Sequence, residues 1–387
     1  MNAVQEHLPP GNVPVVLAVF NQKGGIGKTT TSVNLAACLA ALGRTVCVID
    51  LDSQGNATTS LGVSPPPAIG AYDVMVGRVS MASAVRPTRI PGVTICAASD
   101  DLAAVDIELA ADPNRPQMTL RRRIEADPPR ADFILIDCPP ALGMLPVNAL
   151  AAADGVVLPV SPQPLAHDGL HKAWHHVGVI RNHLNPRLVV EGILITFGDE
   201  SPEALVQAET IRREFGFRVF STIIPQDPSV VAASGKDIPV AVYEPDGVVA
   251  NCYLNLAGEL LERTRALRLE RLPAGLPSTP TTAASEAEGG EVAGLPALAK
   301  GFALAQADLE AAKRHLRTWR TTLGITAETP TLSRPPSLTP WTDEPRPTGS
   351  DPVMRWLRYI TAFVVGLAAG YAAGAYPQLM AMMNAMH

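Results

Sequence analysis

An apolar run followed by a loop rich in glycine and lysine constrains the fold more than any other part of this sequence. Residues 13–20 read VPVVLAVF, and residues 21–36 continue as NQKGGIGKTTTSVNLA. The first stretch is typical of a buried strand, and the stretch after Gly27 is typical of a helix. A strand, a glycine-rich loop and a helix in this order predict a loop whose backbone N–H groups surround phosphate. A glycine-rich turn that binds no nucleotide is the disfavoured alternative.

The loop departs from the ordinary phosphate-loop pattern GxxxxGK[ST], because that pattern would place its first glycine at Gln22. The register that fits is KGGxGKT, which begins with an additional lysine, Lys23. Lys28 is expected to bridge the β- and γ-phosphates, and the Thr29 hydroxyl to bind Mg²⁺. The predicted nucleotide-binding residues of this segment are Lys23, Gly24, Gly25, Ile26, Gly27, Lys28, Thr29 and Thr30.

Seven short apolar runs alternate with helical stretches up to about residue 272. Most runs are continuous rather than alternating, which is the pattern of parallel strands buried on both faces. The predicted strands are 13–20, 45–50, 92–97, 132–137, 155–160, 188–197 and 218–225. The predicted helices include 29–42, 101–126, 168–184, 202–215 and 248–270. This order predicts an α/β fold with a doubly wound, mostly parallel sheet flanked by helices, plus a C-terminal helical extension.

Composition narrows the classes of partner. The net charge is −6, so any contact with nucleic acid requires a local basic patch. The five cysteines are scattered and form no CxxC pair, which indicates reduced core thiols in a cytosolic domain. This scattered spacing also argues against an iron–sulfur reductase, because those enzymes need cluster cysteines in defined loops.

Composition changes after Leu272, where Pro, Ser, Thr and Ala become frequent. The expected organisation is a flexible N-terminus, a large α/β domain, a linker, an amphipathic helix, a Pro-rich linker and a hydrophobic helix. Their predicted ranges are 1–12, 13–272, 273–296, 297–324, 325–352 and 353–387.

The predicted amphipathic helix carries a heptad pattern. Its apolar positions recur alternately after four and three residues: Leu298, Phe302, Ala305, Leu309, Ala312, Leu316, Trp319 and Leu323. A short coiled coil between two chains is one interpretation. The other is a single helix docked on its own domain, which is favoured because two of the positions are Ala.

The last segment favours a membrane helix. Residues 359–387 contain no Asp, Glu, Lys or Arg, and Gly366, Gly370 and Gly374 fall four positions apart. The apolar part is long enough to cross a bilayer, and membrane contact is expected through residues 356–380. The two arginines that precede it would keep the large domain cytoplasmic, tethered to the inner face of the membrane. An Ala/Gly-rich helix buried in a protein core is the alternative.

KGGIGKT resembles the deviant phosphate loop of the ParA/MinD family of ATPases. In that family the first lysine, here Lys23, reaches across a dimer to the partner's nucleotide. The resemblance therefore implies a homodimer that forms on binding ATP and Mg²⁺.

The segment VIDLDSQGNATTSLG (48–62) resembles the family's DxDPQGN segment, with Ser53 in place of the proline. This implies that Asp52 orients the attacking water near Mg²⁺ and that Asp50 lies near the outer shell of the metal.

Three later segments extend the resemblance over roughly residues 13–270. FILIDCPPALG (133–143) resembles the Walker B strand and switch, which implies that Asp137 holds Mg²⁺ through water. LPVSPQPLAHDGL (158–170) resembles another family segment. The stretch that begins STIIPQDPSVV (221–231) resembles the segment that packs on adenine, which makes Pro225, Gln226 and Asp227 candidate base contacts. The family's Arg-Asn pair after the proline is missing here.

The resemblance implies an ATPase that segregates chromosomal or plasmid DNA or positions another cargo, activated by a ParB-like partner. A MinD-like membrane-associated positioning ATPase is one alternative, and a nucleotide-gated scaffold adaptor with slow hydrolysis is another. Family members hold DNA through surface arginines. The candidates here are Arg212, Arg213, Arg218, Arg265, Arg268 and Arg271. Acidic neighbours make an ordinary solvated helix face equally compatible with these residues.

Other chemistry finds little support. The sequence has no GxSxG elbow for a serine hydrolase. His167, His171, His175 and His176 fall on one predicted helix but form no HExxH motif. An exposed or core-facing helix surface is therefore favoured over a metal site.

Overall fold

Eight strands form a single sheet in the computed structural model, which describes residues 13–110, 115–140, 143–163, 166–198, 201–265 and 303–325. The strands are β1 (Val15–Val19), β2 (Val46–Asp50), β3 (Val85–Pro87), β4 (Val93–Cys96), β5 (Phe133–Asp137), β6 (Gly155–Val160), β7 (Val189–Gly198) and β8 (Val219–Pro225). Their order across the sheet is β3-β4-β2-β5-β1-β6-β7-β8. Every neighbouring pair is parallel except β3 and β4. The predicted α/β fold with a mostly parallel sheet is confirmed.

Helices cover both faces of this sheet. They are α1 (Lys28–Ala41), α2 (Asn56–Ser60), α3 (Ala71–Met75), α4 (Met81–Ala84), α5 (Val105–Ala110), α6 (Thr119–Ala126), α7 (Met144–Ala152), α8 (Ala166–His183), α9 (Pro202–Phe215), α10 (Pro228–Ser234), α11 (Val240–Tyr243), α12 (Val248–Arg263) and α13 (Gln306–Thr322). Short 3₁₀ turns occupy Asp100–Ala104, Pro116–Met118 and Gly216–Arg218.

Successive residues of the central strand enter two separate cores. Val16 and Ala18 of β1 belong to a cluster that also contains buried side chains of α7 and α8. Val15 and Leu17 point to the opposite face and pack with α1 and α12. Because side chains alternate across a strand, a strand buried on both faces needs an unbroken apolar run.

One short strand and one long predicted helix are among the differences from the sequence-based expectation. β3 was not predicted, because it has only three residues and includes Pro87. Proline is tolerated there because β3 is the edge strand of the sheet. The single helix predicted over 101–126 is wrong. Within the described residues, α5 and α6 are separate helices, and Pro116 opens a 3₁₀ turn between them.

The C-terminal helix α13 packs on the α/β domain, against α1 and α11. Ala312 and Leu316, both at heptad positions, are completely buried in the same cluster as α1. Polar contacts add to this packing: His315 Nδ1 lies 2.9 Å from the Ala41 carbonyl oxygen, and Arg317 Nε donates to Asp246 Oδ2 at 3.0 Å. The structure therefore shows the docked arrangement, with the heptad residues from Leu309 to Leu323 turned toward their own domain.

The helix α13 begins at Gln306 rather than at the predicted residue 297, and residues 297–302 lie outside the described residues. The N-terminus 1–12, the linker 273–296 and the hydrophobic segment 353–387 also lie outside them, as does the Pro-rich linker after residue 325. Within the described ranges, no helix combines the length and apolar character needed to cross a bilayer.

Candidate functional site

The glycine-rich loop joins β1 to α1 at the carboxyl edge of the sheet, next to the ends of β5 and β6. Gly25 and Gly27 have φ angles of +71° and +82°, which favour glycine. A Cβ atom added to Gly24 or Gly25 would meet no other atom within 4 Å, whereas one on Gly27 would lie 3.0 Å from Cζ of Phe197. The loop thus leaves room beside two glycines and is closely packed at the third.

Buried polar side chains hold the loop at both ends. Asn21 Nδ2 donates to the Pro159 carbonyl oxygen (2.8 Å), and Asn21 Oδ1 accepts from the Lys23 N–H (3.2 Å). Thr196 Oγ1 donates to the Ile26 carbonyl oxygen (2.8 Å). Asn21, Thr196 and Phe197 were not among the predicted site residues. Asn21 had a signal, since it follows β1 directly, but Thr196 lies 170 positions from its partner and had none.

The two lysines of the loop are in contact. Lys28 is buried, and its Nζ donates to the Lys23 carbonyl oxygen at 3.0 Å. Burial lowers the pKa of Lys28, and the negative charges of Asp137 and Asp52 oppose this shift. The Lys28 ammonium group is therefore held at the loop backbone by a neutral acceptor. An anionic phosphate oxygen is a stronger acceptor for the same group.

Asp137, at the end of β5, accepts hydrogen bonds from two hydroxyl groups of α1. Thr29 Oγ1 donates to Oδ2 at 2.8 Å, and Ser32 Oγ donates to Oδ1 at 2.7 Å. Burial raises the pKa of Asp137, while these two hydrogen bonds and the charge of Lys28 lower it. Hydroxyl and carboxylate oxygens are ligands that Mg²⁺ prefers, so the donor set fits this ion. Ser32 was not among the predicted site residues.

Asp50 ends β2 directly beside Asp137 in the strand register. Its Oδ2 accepts from the N–H and the hydroxyl of Thr58 (2.9 and 2.8 Å), and its Oδ1 accepts from the Asp52 N–H (3.1 Å). Burial is also the main cause that raises the pKa of Asp50. Asp50 therefore organises the segment after β2. Asp52 is only partly buried, and its Oδ1 accepts from the Gln54 N–H at 3.1 Å.

The candidate base contacts lie on the same edge of the sheet, where β8 ends at Pro225. The Gln226 N–H donates to the Gly198 carbonyl oxygen at 3.1 Å, and the aromatic ring that precedes Gly198 packs on Gly27. This series of contacts connects the end of β8 to the loop. Asp227 Oδ1 accepts a backbone N–H at 2.8 Å and caps α10, so it has a structural role.

The arginines proposed for DNA contact have different surroundings. Arg212 donates to the Ser221 carbonyl oxygen at 3.2 Å, and the Arg218 guanidinium lies 5.6 Å from the centre of the Trp174 ring. Arg213 and Arg218 are both exposed. These two are the candidates on α9 and the turn after it that face solvent.

Only one of the candidates after α12 is described. Arg265 is exposed, whereas Arg268 and Arg271 lie outside the described residues. The nearby Arg263 forms an ion pair with Glu259 at 2.8 Å and therefore serves the fold.

Comparisons with known proteins identify relatives of this chain. The family model described as an AAA domain matches residues 15–190. The sporulation initiation inhibitor protein Soj of Bacillus subtilis is 38% identical over 247 residues, which cover 63% of this chain and 97% of Soj. The chromosome partitioning protein ParA of Caulobacter vibrioides (strain NA1000 / CB15N) is 39% identical over 256 residues, which cover 65% of this chain and 95% of that protein.

Two solved structures share the fold and contain nucleotides. Cobyrinic acid a,c-diamide synthase from Mycobacterium smegmatis, with a bound ATP analogue and magnesium, superposes with a TM-score of 0.59 at 30% identity. The match covers 66% of this chain and 96% of that one. The septum site-determining protein MinD from Pyrococcus horikoshii, with Mg-ADP, has a TM-score of 0.56 at 25% identity and covers 66% and 98%. The chain belongs to the ParA/MinD family of P-loop ATPases.

Proposed function

We propose that this chain is a Mg²⁺-dependent ATPase that dimerises around ATP and uses the cycle to segregate DNA or to position another cargo. Its cofactors are ATP and Mg²⁺. The observation that carries the proposal is the pair of lysines, in which Lys28 is held at the carbonyl oxygen of Lys23. Behind this pair, Thr29 and Ser32 are already oriented by Asp137.

Each part of the loop has a separate task. Mg–ATP supplies the phosphoryl group to be transferred and a divalent charge that offsets the phosphate oxygens. Glycine N–H groups and the N-terminus of α1 would surround the phosphates, and the Lys28 ammonium group would pair with their negative charge. Thr29 and Asp137 would hold the metal. Asp52, near Lys28 and only partly buried, would orient the attacking water.

The second lysine of the loop, Lys23, is proposed to act on the nucleotide of the partner chain. Two triphosphates that face each other across a dimer repel, and a cation from the partner chain offsets that charge. The Lys23 side chain is half-buried rather than enclosed, and its contact to Lys28 uses only its main-chain oxygen. The ammonium group is therefore not required to hold the loop of its own chain.

Replacing Asp52 by alanine is expected to leave ATP binding intact and to stop hydrolysis, which traps the ATP-bound dimer. The reason is that Asp52 lies outside the hydroxyl–Asp137 network that would hold the metal. Light scattering after size-exclusion chromatography, with Mg–ATP present, measures the lifetime of the dimer, and phosphate release measures turnover. An Asp52→Ala protein that hydrolyses ATP at the wild-type rate refutes this role.

Asp50→Asn is the matched control for this experiment. Asp50 accepts three hydrogen bonds that fix the segment after β2, so its replacement is expected to lower the thermal stability of the protein. Asp52→Ala should melt near the wild-type temperature. The melting temperatures of the two variants thus distinguish the structural role of Asp50 from the proposed catalytic role of Asp52.

The surface on which the ATPase works is proposed from sequence. Among the described candidates for nonspecific DNA contact, Arg213, Arg218 and Arg265 are exposed and Arg212 is partly buried, and a ParB-like protein is the expected activator. The apolar segment 353–387 is the proposed membrane anchor, and that proposal rests on composition alone. The scaffold alternative is weakened because the apolar face of α13 is buried on its own domain.

Cell fractionation separates the two surfaces. If the tail anchors the protein, the full-length chain is expected to sediment with membranes, and a variant that lacks 353–387 is expected to leave them. If DNA is the working surface, DNase is expected to release the protein whether or not the tail is present. A full-length chain that stays in the supernatant without detergent or DNase contradicts both surfaces.

A further inference from the structure

Three side chains of types that can ligate a metal converge between α8 and α9, outside the nucleotide site. His167 and His171 lie one turn apart on α8, and Glu214 lies in the last turn of α9. From sequence, these histidines were expected to form an exposed or core-facing helix surface. Glu214 lies more than 40 positions away in sequence, so only the packing of α9 on α8 brings it to them.

The separation of the two histidines matches that between two ligands of one metal ion, and Glu214 lies in direct contact with both. His167 Nε2 lies 3.3 Å from His171 Nε2, and His171 Nε2 lies 2.9 Å from Glu214 Oε1. His167 Nε2 also contacts Glu214 Oε2. Tetrahedral zinc with Zn–N bonds of about 2.0–2.1 Å separates its ligand atoms by about 3.3 Å. The His–His distance is therefore the one that a shared zinc ion requires.

We propose that His167, His171 and Glu214 form a binding site for Zn²⁺ that joins α8 to α9. Two imidazole nitrogens select a transition metal and disfavour Mg²⁺, which prefers oxygen ligands. The site is therefore distinct in chemistry from the Mg²⁺ site of the glycine-rich loop. Because all three side chains are 37–45% exposed, the ion can enter from solvent and keeps a fourth position for water.

Bound Zn²⁺ would stabilise one particular part of the domain. α8 follows β6 and α9 follows β7, the two strands that lie between the loop-bearing β1 and β8. A ligand that binds only the folded state raises the free energy of unfolding with its concentration. Zn²⁺ is therefore expected to raise the melting temperature.

Zinc binding is tested with the full-length protein, free of any affinity tag and stripped of metal by EDTA. Titration against a chromophoric zinc chelator is expected to show a zinc site in the wild type and at least about tenfold weaker binding in His171→Ala and Glu214→Gln. His175→Ala is the matched control, since His175 is an exposed histidine on the same helix, and it should bind as the wild type does. Co²⁺ should give a visible absorption band in the wild type and the control only.

Stability measurements keep the test independent of folding defects. Without metal, all variants are expected to have the melting temperature of the wild type, because the substituted side chains are exposed. With Zn²⁺, only the wild type and His175→Ala should gain melting temperature. Equal zinc affinity in the wild type and His171→Ala overturns the proposal, as does an equal loss in His175→Ala. Since this readout needs no nucleotide, it is independent of the outcome for the proposed ATPase cycle.

Discussion

Lys28→Ala is expected to lower the affinity for Mg–ATP by about two orders of magnitude. Hydrogen bonds to charged groups contribute about 1.5–3 kcal/mol each, and 1.4 kcal/mol corresponds to a factor of ten in affinity. The Lys28 ammonium group is buried and partly desolvated, so its attraction to phosphate is screened less than at the surface. Isothermal titration with a non-hydrolysable ATP analogue measures the change.

Lys172→Ala is the matched control for this substitution. Lys172 is exposed on α8, outside the loop. Its replacement by alanine removes the same charge from the protein as Lys28→Ala does. It is expected to bind the analogue with wild-type affinity. Tight binding by Lys28→Ala would overturn the assignment of the loop, whereas an equal loss in both variants would indicate a general effect of net charge.

Lys23→Ala is expected to keep the affinity of the single chain for ATP and to lose about 10³-fold or more in turnover. The Lys28 contact uses the carbonyl oxygen of residue 23, which alanine retains, so the binding loop should keep its arrangement. A cation supplied across an interface to a transferring phosphoryl group contributes about 10³–10⁵-fold to the rate. Phosphate release measures turnover, and light scattering measures the dimer.

Mixing two inactive variants tests whether Lys23 acts on the partner. In a dimer of Lys23→Ala with Asp52→Ala, the first chain keeps its own Asp52 and receives Lys23 from the second. One complete site is then present, so the mixture should hydrolyse ATP faster than either variant alone. If Lys23 acts on the nucleotide of its own chain, mixing leaves turnover at the level of the separate variants.

Some residues of the site could be predicted from the sequence more fully than others. The lysines, the glycines and Asp137 belong to contiguous motifs at strand ends, where local spacing predicts the position of each side chain. Asp227 stays a predicted base contact, and its Oδ1 also caps α10. A cap and a ligand contact require the same side-chain chemistry, so sequence cannot separate the two roles.

Local patterns in the sequence determined seven of the eight strands, most of the long helices and the phosphate loop, because each depends on residues close together in the chain. Continuous apolar runs specify strands buried on both faces, and the glycines specify a loop that can adopt positive φ. Tertiary structure alone decided which distant residues support that loop and where the C-terminal helix docks. Thr196, Phe197 and Glu214 reach their partners only through strand order and helix packing. Such contacts leave no periodic trace in the chain, since many distant residues of the same type could have filled each place.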